Sequence, residues 1–267
     1  MNELHRIEPG QVVKLAELPT EGKALYEGGK AAAKEALKVL REELAELQHR
    51  LYSEGKRKLL VVFQAMDAGG KDGTIRSVLE GVNPQGVQVT SFKSPTKEEL
   101  DRDFLWRIHK AVPGKGMIGV FNRSHYEDVL IVRVDNIVPE TVWRPRYTFI
   151  NQFEKLLHDT GTTILKFYLH ISKDEQKKRF QERLDDPAKN WKFSHEDLEK
   201  RKQWDDYQVA YQEMLTQCST VEAPWYVIPA DQNWYRNLMV AQIMVETLRG
   251  MNPQYPQAED LRGVVVE

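Results

Sequence analysis

The chain has 267 residues, with 38 Lys and Arg against 40 Asp and Glu, 41% apolar and 9% aromatic residues, and a formal net charge of −2. That length holds one large α/β domain or two small ones with a buried core, and the composition excludes wholesale disorder. The near-neutral balance excludes the global basic field of a sequence-blind nucleic-acid binder, so a polyanionic partner must meet a local positive patch.

Cys218 is the one cysteine, which excludes an intrachain disulfide and any Cys-cluster metal site. The opening MNELHRIEPG has no basic stretch followed by an apolar one, and the apolar run Leu59 to Phe63 is far too short to cross a bilayer. A cytoplasmic protein with no membrane and no nucleic-acid partner is expected. No repeat or Gly/Ser linker divides the sequence, so 1–267 is read as a single domain. Residues 1–20 and 251–267 look like peripheral arms.

Residues 22–54 carry Leu37, Leu40, Leu44, Leu47 and Leu51 in alternating steps of three and four, which places them on one face of a long helix. The stripe is read as packing on a sheet rather than as a dimer seam, because a coiled coil wants three or four heptads. Residues 58–63, KLLVVF, are a short apolar run bounded by polar residues, as a strand buried on both faces should be. Further strands are expected at 87–92, 117–121, 164–171 and 225–228. Helices are expected at 75–80, 97–109, 140–159, 173–184, 195–217 and 234–249. This alternation predicts an α/β fold: a three-layer α/β/α parallel sheet of about five strands. Ligands of such sheets sit beyond the carboxyl ends of the strands.

The first strand runs into Gln64-Ala-Met-Asp-Ala-Gly-Gly-Lys-Asp-Gly-Thr74 and then a helix. This resembles a P-loop, in which glycines let backbone N–H groups turn around an anion at a helix start, and a lysine reaches the terminal phosphates. Ala68, Gly69, Gly70, Asp72, Gly73 and Thr74 form the expected phosphate cradle, with Lys71 as its cation. Two departures stand out: Ala65 replaces the first glycine of GxxxxGK[ST], and Asp72 replaces the hydroxyl residue after the lysine. Asp67 makes sense among phosphates if it holds Mg²⁺, with Mn²⁺ as the alternative cation.

The strand at 117–121 leads into Asn122-Arg123-Ser124-His125-Tyr126-Glu127-Asp128. Arg123, at a carboxyl end, is suited to neutralise a transferred phosphoryl group. Asn122 stands where an acid commonly helps hold magnesium. Glu127 is either a source of the missing negative charge or a solvated helix-start acid. His125 is read as a hydrogen-bonding or packing residue rather than a phosphorylated intermediate.

Residues 173–204 carry ten Lys and Arg and eight Asp and Glu around the helix break Asp185-Asp-Pro187, a composition suited to a lid. Arg183 is the first candidate there for the donor chain, with Arg179 on the same helical face; surface pairing of Arg183 with Glu182 or Asp186 is the alternative. Lys30, Lys34 and Lys38 are four apart and share a helical face, with Lys23 ahead of them, a stripe able to track a long polyanion. Phe104 or Trp106 is a candidate for stacking on a base, or else core.

Together AMDAGGKDGT, SFKSPTKEELDRDFLWRIHKAVP, FNRSHYEDVL, LKFYLHISKDEQKKRFQERLDDPAKNWKFS and APWYVIPADQNWYRN resemble the polyphosphate kinase type 2 family, in order and spacing, over roughly residues 21–255. The resemblance implies a P-loop kinase-like sheet with a helical lid and Mg²⁺ dependence. It implies phosphoryl transfer between inorganic polyphosphate and AMP, ADP or ATP, and homodimers or homotetramers. It assigns phosphate and metal roles to Asp67, Lys71, Asp72 and Arg123, and nucleotide contact to Lys93, Asp103 and Arg107. Asn122 departs from family members that read FDRS and resembles the subgroup acting on both nucleoside mono- and diphosphates, which leaves Asn122 and Glu127 as candidate metal or nucleotide contacts. Two alternatives stay open: an ATP-dependent nucleotide kinase on the same fold, and a non-catalytic polyphosphate- or nucleotide-binding protein.

Overall fold

The computed structural model describes residues 2–260, 262 and 266; the remaining positions of the expected C-terminal tail lie outside the described residues. The five strands are β1 (Lys58–Gln64), β2 (Val87–Ser91), β3 (Ile118–Asn122), β4 (Thr162–His170) and β5 (Trp225–Pro229). They form one parallel sheet in the order β2-β3-β1-β4-β5. β1 takes the centre because Leu59, Leu60, Val61, Val62, Phe63 and Gln64 are all buried, leaving no face for solvent.

Among the described residues, the helices of eight residues or more are α1 (Gly29–Glu54), α2 (Lys71–Val78), α3 (Arg146–Asp159), α4 (Lys173–Asp185), α5 (His195–Lys202), α6 (Trp204–Cys218) and α7 (Asn233–Met251). The chain steps one way across the sheet from β1 to β2 and the other way from β3 to β4, so right-handed crossovers put their helices on opposite faces. Packing agrees: α7 lies against α1 and α2, whereas α6 lies against α3. The leucine stripe of α1, with Leu37, Leu44, Leu47 and Leu51 buried, therefore meets α7 more than the sheet itself.

Several expected elements change at their ends for local reasons. α1 opens at Gly29, whose φ of 64° is left-handed, instead of at residue 22; Lys23–Leu25 form a separate 3-10 turn. The expected helix 97–109 is two single turns, Lys97–Leu100 and Trp106–His109. Between them the Asp103 carboxylate accepts the Leu105 N–H at 2.9 Å, a local bond that competes with the helix. The expected helix 140–159 divides at Pro145, which has no N–H to continue it. The expected helix 195–217 divides at Gln203 into α5 and α6.

The segment ahead of α1 covers the edge of the sheet. Arg6 forms an antiparallel bridge with Tyr226 of β5, the Ile7 N–H donates to the Trp225 carbonyl at 2.9 Å, and Ile7, Val13 and Leu15 are buried. An edge strand is thereby shielded from other chains. The parallel register sets Phe63 beside both Asn122 and Phe167, so the loops after β1 and β3 emerge side by side.

Candidate active site

Those loops open into a cleft of about 1470 Å³. Ala68 to Gly73, Asn122, Arg123 and Asp67 line its floor. The loop after β1 depends on left-handed backbone at Ala68 (φ 60°) and Gly70 (φ 99°). The alanine carries a steric cost there, of the kind kept at functional sites. Gly69 has no room for a side chain, since a Cβ would fall 2.6 Å from the Ala65 Cβ. α2 begins at Lys71 rather than at the expected residue 75, so its first-turn N–H groups face the loop without intrahelical acceptors.

Lys71 Nζ donates to the Ala65 carbonyl at 2.9 Å. Burial, aided by the Arg123 charge, pushes Lys71 down to about 8 despite the acids around it. Asp67 Oδ1 accepts from Arg123 Nη2 at 2.8 Å. Burial alone would raise Asp67, but Lys71, Arg123, Lys200 and Arg183 outweigh it and hold the carboxyl below the usual carboxylate range. Arg123 itself sits at φ 63° with its N–H on the Phe63 carbonyl at 3.1 Å, a non-glycine left-handed residue at the end of β3.

The turn behind Arg123 is braced from within. Ser124 Oγ accepts from Gln64 Nε2 at 3.1 Å and from the Tyr126 N–H at 3.2 Å. The next residues are pinned to Glu154, which accepts from His125 Nε2 at 3.1 Å, Tyr126 Oη at 2.7 Å and Lys166 Nζ at 2.6 Å. Glu154 and Lys166 are buried. Burial would raise Glu154, yet Lys166 and His125 hold it low and ionised. His125 is buried and its basicity is lowered by that burial, which fits the packing role expected of it. The sequence signal for this network was a lysine inside the apolar run of β4.

Several expected site residues come together. Lys30 and Lys34 of α1 line the cleft, as do Lys93, Asp72 and Gly73. So do Arg183, Lys178, Lys189, Lys192 and Lys200 from α4, the 3-10 turn Asn190–Lys192 and α5. Arg183 donates to the Lys192 carbonyl at 3.0 Å and lies 3.7 Å from Asp197, so its ion-pair partner is neither Glu182 nor Asp186. Arg179 is a clamp, donating to the carbonyls of Ala68 at 3.0 Å and Ala230 at 2.6 Å.

Others are placed elsewhere. The Thr74 hydroxyl is buried and donates back to the Gly70 carbonyl at 3.0 Å, closing the first turn of α2 instead of facing phosphate. Glu127 lines a water-sized hollow of about 20 Å³ behind Arg123; with Asp67 it raises Arg123 against the lowering effect of burial. Asp103 caps its own loop, and Phe104 packs on the core beneath the Arg146 guanidinium at 4.9 Å. Neither lines the cleft, because the helix expected to present them is broken. Arg107 donates to the Lys93 carbonyl at 2.8 Å and faces a side cleft of about 340 Å³ that adjoins the main one at Lys93. Lys23 and Lys38 are exposed and lie outside the cleft lining.

The oxygen donors fit a magnesium-type ion. Among the described residues no group of three His, Cys, Asp or Glu is placed to hold a metal by itself, but Mg²⁺ commonly uses one or two carboxylates together with substrate phosphates and water. Asp67 supplies one carboxylate, and Asn122, whose Nδ2 donates to Asp72 Oδ1 at 2.6 Å, keeps its amide oxygen free.

A parallel sheet whose central strand feeds a glycine loop, a lysine and a helix start, beside a cation-rich helical segment, defines a P-loop kinase-like phosphotransferase. A family model described as Polyphosphate kinase 2 (PPK2) matches residues 28–256, and the chain belongs to that family. It is 59% identical to the AMP/ADP-polyphosphate phosphotransferase of Meiothermus ruber, over 96% of each chain. It is 47% identical to the ADP-polyphosphate phosphotransferase of Rhodopseudomonas palustris, over 96% of this chain and 93% of that one. The crystal structure of Polyphosphate Kinase 2 from Arthrobacter aurescens TC1 superposes with a TM-score of 0.92 at 47% identity, covering 96% of this chain and 92% of that one. The family, fold and enzyme class expected from the sequence are thus borne out.

Proposed function

We propose that this enzyme moves phosphoryl groups from inorganic polyphosphate to AMP and ADP, giving ADP and ATP, in a reversible reaction. The observation that carries this is charge. The cleft is lined by thirteen Lys or Arg against seven Asp or Glu, in a chain whose acids outnumber its bases by 40 to 38. Such a surface suits a long condensed phosphate better than a single nucleotide. The name of the Meiothermus relative carries polyphosphate with both AMP and ADP, and that of the Rhodopseudomonas relative carries polyphosphate with ADP.

Phosphoryl transfer asks for in-line positioning and for cations on the spreading negative charge, not for a protein nucleophile. The loop amides and Lys71 hold the end of the donor chain. Arg123, fixed in direction by its strained backbone and by Asp67, faces the transferred group, and Arg183 approaches from the lid. Lys93 and Arg107, at the junction with the side cleft, meet the acceptor phosphate. An acceptor that is already an ionised phosphate needs no strong general base, so no such role is assigned to Glu127. Mg²⁺ would be held by Asp67 and Asn122, and it would supply charge neutralisation to the phosphates when bound. Mg²⁺ dependence, a homo-oligomeric state and a cytoplasmic location are part of this proposal; no described helix is long and apolar enough to cross a membrane.

The test is to incubate the enzyme with AMP, Mg²⁺ and polyphosphate in the absence of ATP. ADP should form first and ATP after it. If nucleotide conversion requires added ATP, the donor is a nucleotide and the proposal is wrong.

A further inference from the structure

Arg236 lies on the first turns of α7, is buried, and faces the same cleft. A buried guanidinium normally has a carboxylate beside it, because an uncompensated charge out of water is costly. Arg179, on the opposite side of the loop, follows that rule, with Glu175 at 2.9 Å. Arg236 does not. Its hydrogen-bond acceptors are all neutral: the Asn233 side chain at 2.8 Å, the Asn237 side chain at 3.0 Å from Nη2 and 3.2 Å from Nε, and the Gly69 carbonyl at 3.5 Å. Burial and the neighbouring Arg179 charge lower its affinity for a proton to about 9, and no carboxylate offsets them.

The loop is shaped around this group. A Cβ on Gly70 would fall 2.0 Å from Arg236 Nη1, and one on Gly73 would fall 3.7 Å from Nη2. The guanidinium thus lies along the turn where α2 begins, beside N–H groups that have no intrahelical acceptor. Lys30 and Lys34 line the same cleft. The acceptors of Arg236 are neutral and the charge acting on it, that of Arg179, is positive, so the missing partner is an anion.

We propose that Arg236 is a phosphate ligand of the loop, and that a phosphoryl group of the condensed-phosphate donor supplies the counter-charge the protein withholds. This rests on the reading of the glycine loop as the phosphate cradle. A guanidinium there offers two parallel donors to one phosphate, so Arg236 reads the donor chain from the α7 side while Lys71 reads it from the loop.

The experiment measures the thermal midpoint of the full-length protein against tripolyphosphate concentration for wild type, Arg236→Met, Arg236→Lys and Lys71→Met. The ligand-induced rise gives an apparent dissociation constant. In Arg236→Met the ligand-free midpoint should be at least that of wild type, because a charge buried without a partner has been removed. The dissociation constant for tripolyphosphate should rise about tenfold or more, the effect of one charge-assisted bidentate contact. The KM for AMP should stay unchanged. An Arg236→Met protein that binds tripolyphosphate within about twofold of wild type overturns the proposal, as does one whose only change is a lower ligand-free midpoint. If methionine is not tolerated, Arg236→Lys decides: weaker binding supports the assignment and unchanged binding overturns it. Lys71→Met separates the two levels. If it too leaves binding unchanged, the cradle reading fails; if it weakens binding and Arg236→Met does not, only the role of Arg236 fails.

Discussion

Lys71 should make polyphosphate binding weaken at alkaline pH while the empty protein grows more stable there. In the ligand-free enzyme burial and Arg123 bring its pKa from the ordinary 10.5 to about 8. A phosphate oxyanion in the loop restores the charged form, so binding takes up a proton above pH 8. With a free-state pKa near 8, about 3% of the empty sites are charged at pH 9.5 against about 90% at pH 7, so apparent affinity should fall about 30-fold across that interval. For folding the sign is opposite. The unfolded chain holds a proton on this lysine up to 10.5 and the folded chain only to about 8, so stability rises with pH through that window. Below it the full penalty of keeping the ammonium charged in the folded loop applies, about 3 kcal/mol. Wild type should therefore gain about 2 kcal/mol relative to Lys71→Met between pH 7 and pH 9.5. The assays are kcat/KM for polyphosphate at saturating AMP, and urea unfolding without ligand, each over this pH range for both proteins. An alkaline limb of equal depth in Lys71→Met assigns the titration elsewhere. A wild-type profile flat to pH 9.5 shows that the loop does not desolvate its lysine.

Three further perturbations bear on separate parts of the site. Asp67→Asn should lower kcat by about 100-fold or more and remove the partner of Arg123; activity within a few-fold of wild type across a Mg²⁺ titration would dismiss the metal role. The double variant Lys30→Gln, Lys34→Gln should raise KM for long polyphosphate, and its log KM should climb less steeply with log salt than that of wild type, while KM for AMP stays put. An unchanged salt slope would remove α1 from the donor track. Glu154→Gln leaves the Lys166 ammonium buried without its carboxylate and should cost about 3–5 kcal/mol in urea unfolding; a loss below about 1 kcal/mol would mean the pair does not brace the Arg123 turn.

The parts of this molecule that are legible in the sequence are those where one physical demand acts on neighbouring residues. KLLVVF, short, rich in Leu and Val and bounded by polar residues, reads as a doubly covered strand, and a strand followed by Gly69, Gly70 and Lys71 reads as a turn facing an anion. The register that brings Arg123 to Asp67 follows from parallel pairing of β1 with β3, so both fall at the same end of the sheet. What escapes depends on competition or on distance. The apolar spacing of residues 97–109 reads as one helix, but Asp103 binds its own loop, and Phe104 and Asp103 leave the site as a result. Pro145 is visible and does divide its helix, whereas Gln203 carries no such signal. Arg236 sits in a long apolar helix where periodicity speaks only of core; the lack of a carboxylate around it exists only in three dimensions.

The positive cleft also accounts for how a nearly neutral chain would bind a polyanion. Away from the site several cations are matched with acids: Arg133 and Arg144 share Glu213, Arg249 holds Glu43, and Lys166 holds Glu154. At the loop the pattern changes. Arg236 meets only amide and carbonyl oxygens and Lys71 meets a carbonyl, whereas Arg179 keeps Glu175 and Arg123 pairs with Asp67, which is also the candidate magnesium ligand. Neutral acceptors orient a cation without cancelling it, so an arriving phosphate finds charge that is fixed in place and incompletely compensated. Preorganised charge of this kind needs little rearrangement during transfer, and its cost is carried by the empty protein. The loop should then be the region where ligand adds the most stability, and substitutions that neutralise Lys71 or Arg236 should stabilise the empty fold while weakening its hold on phosphate.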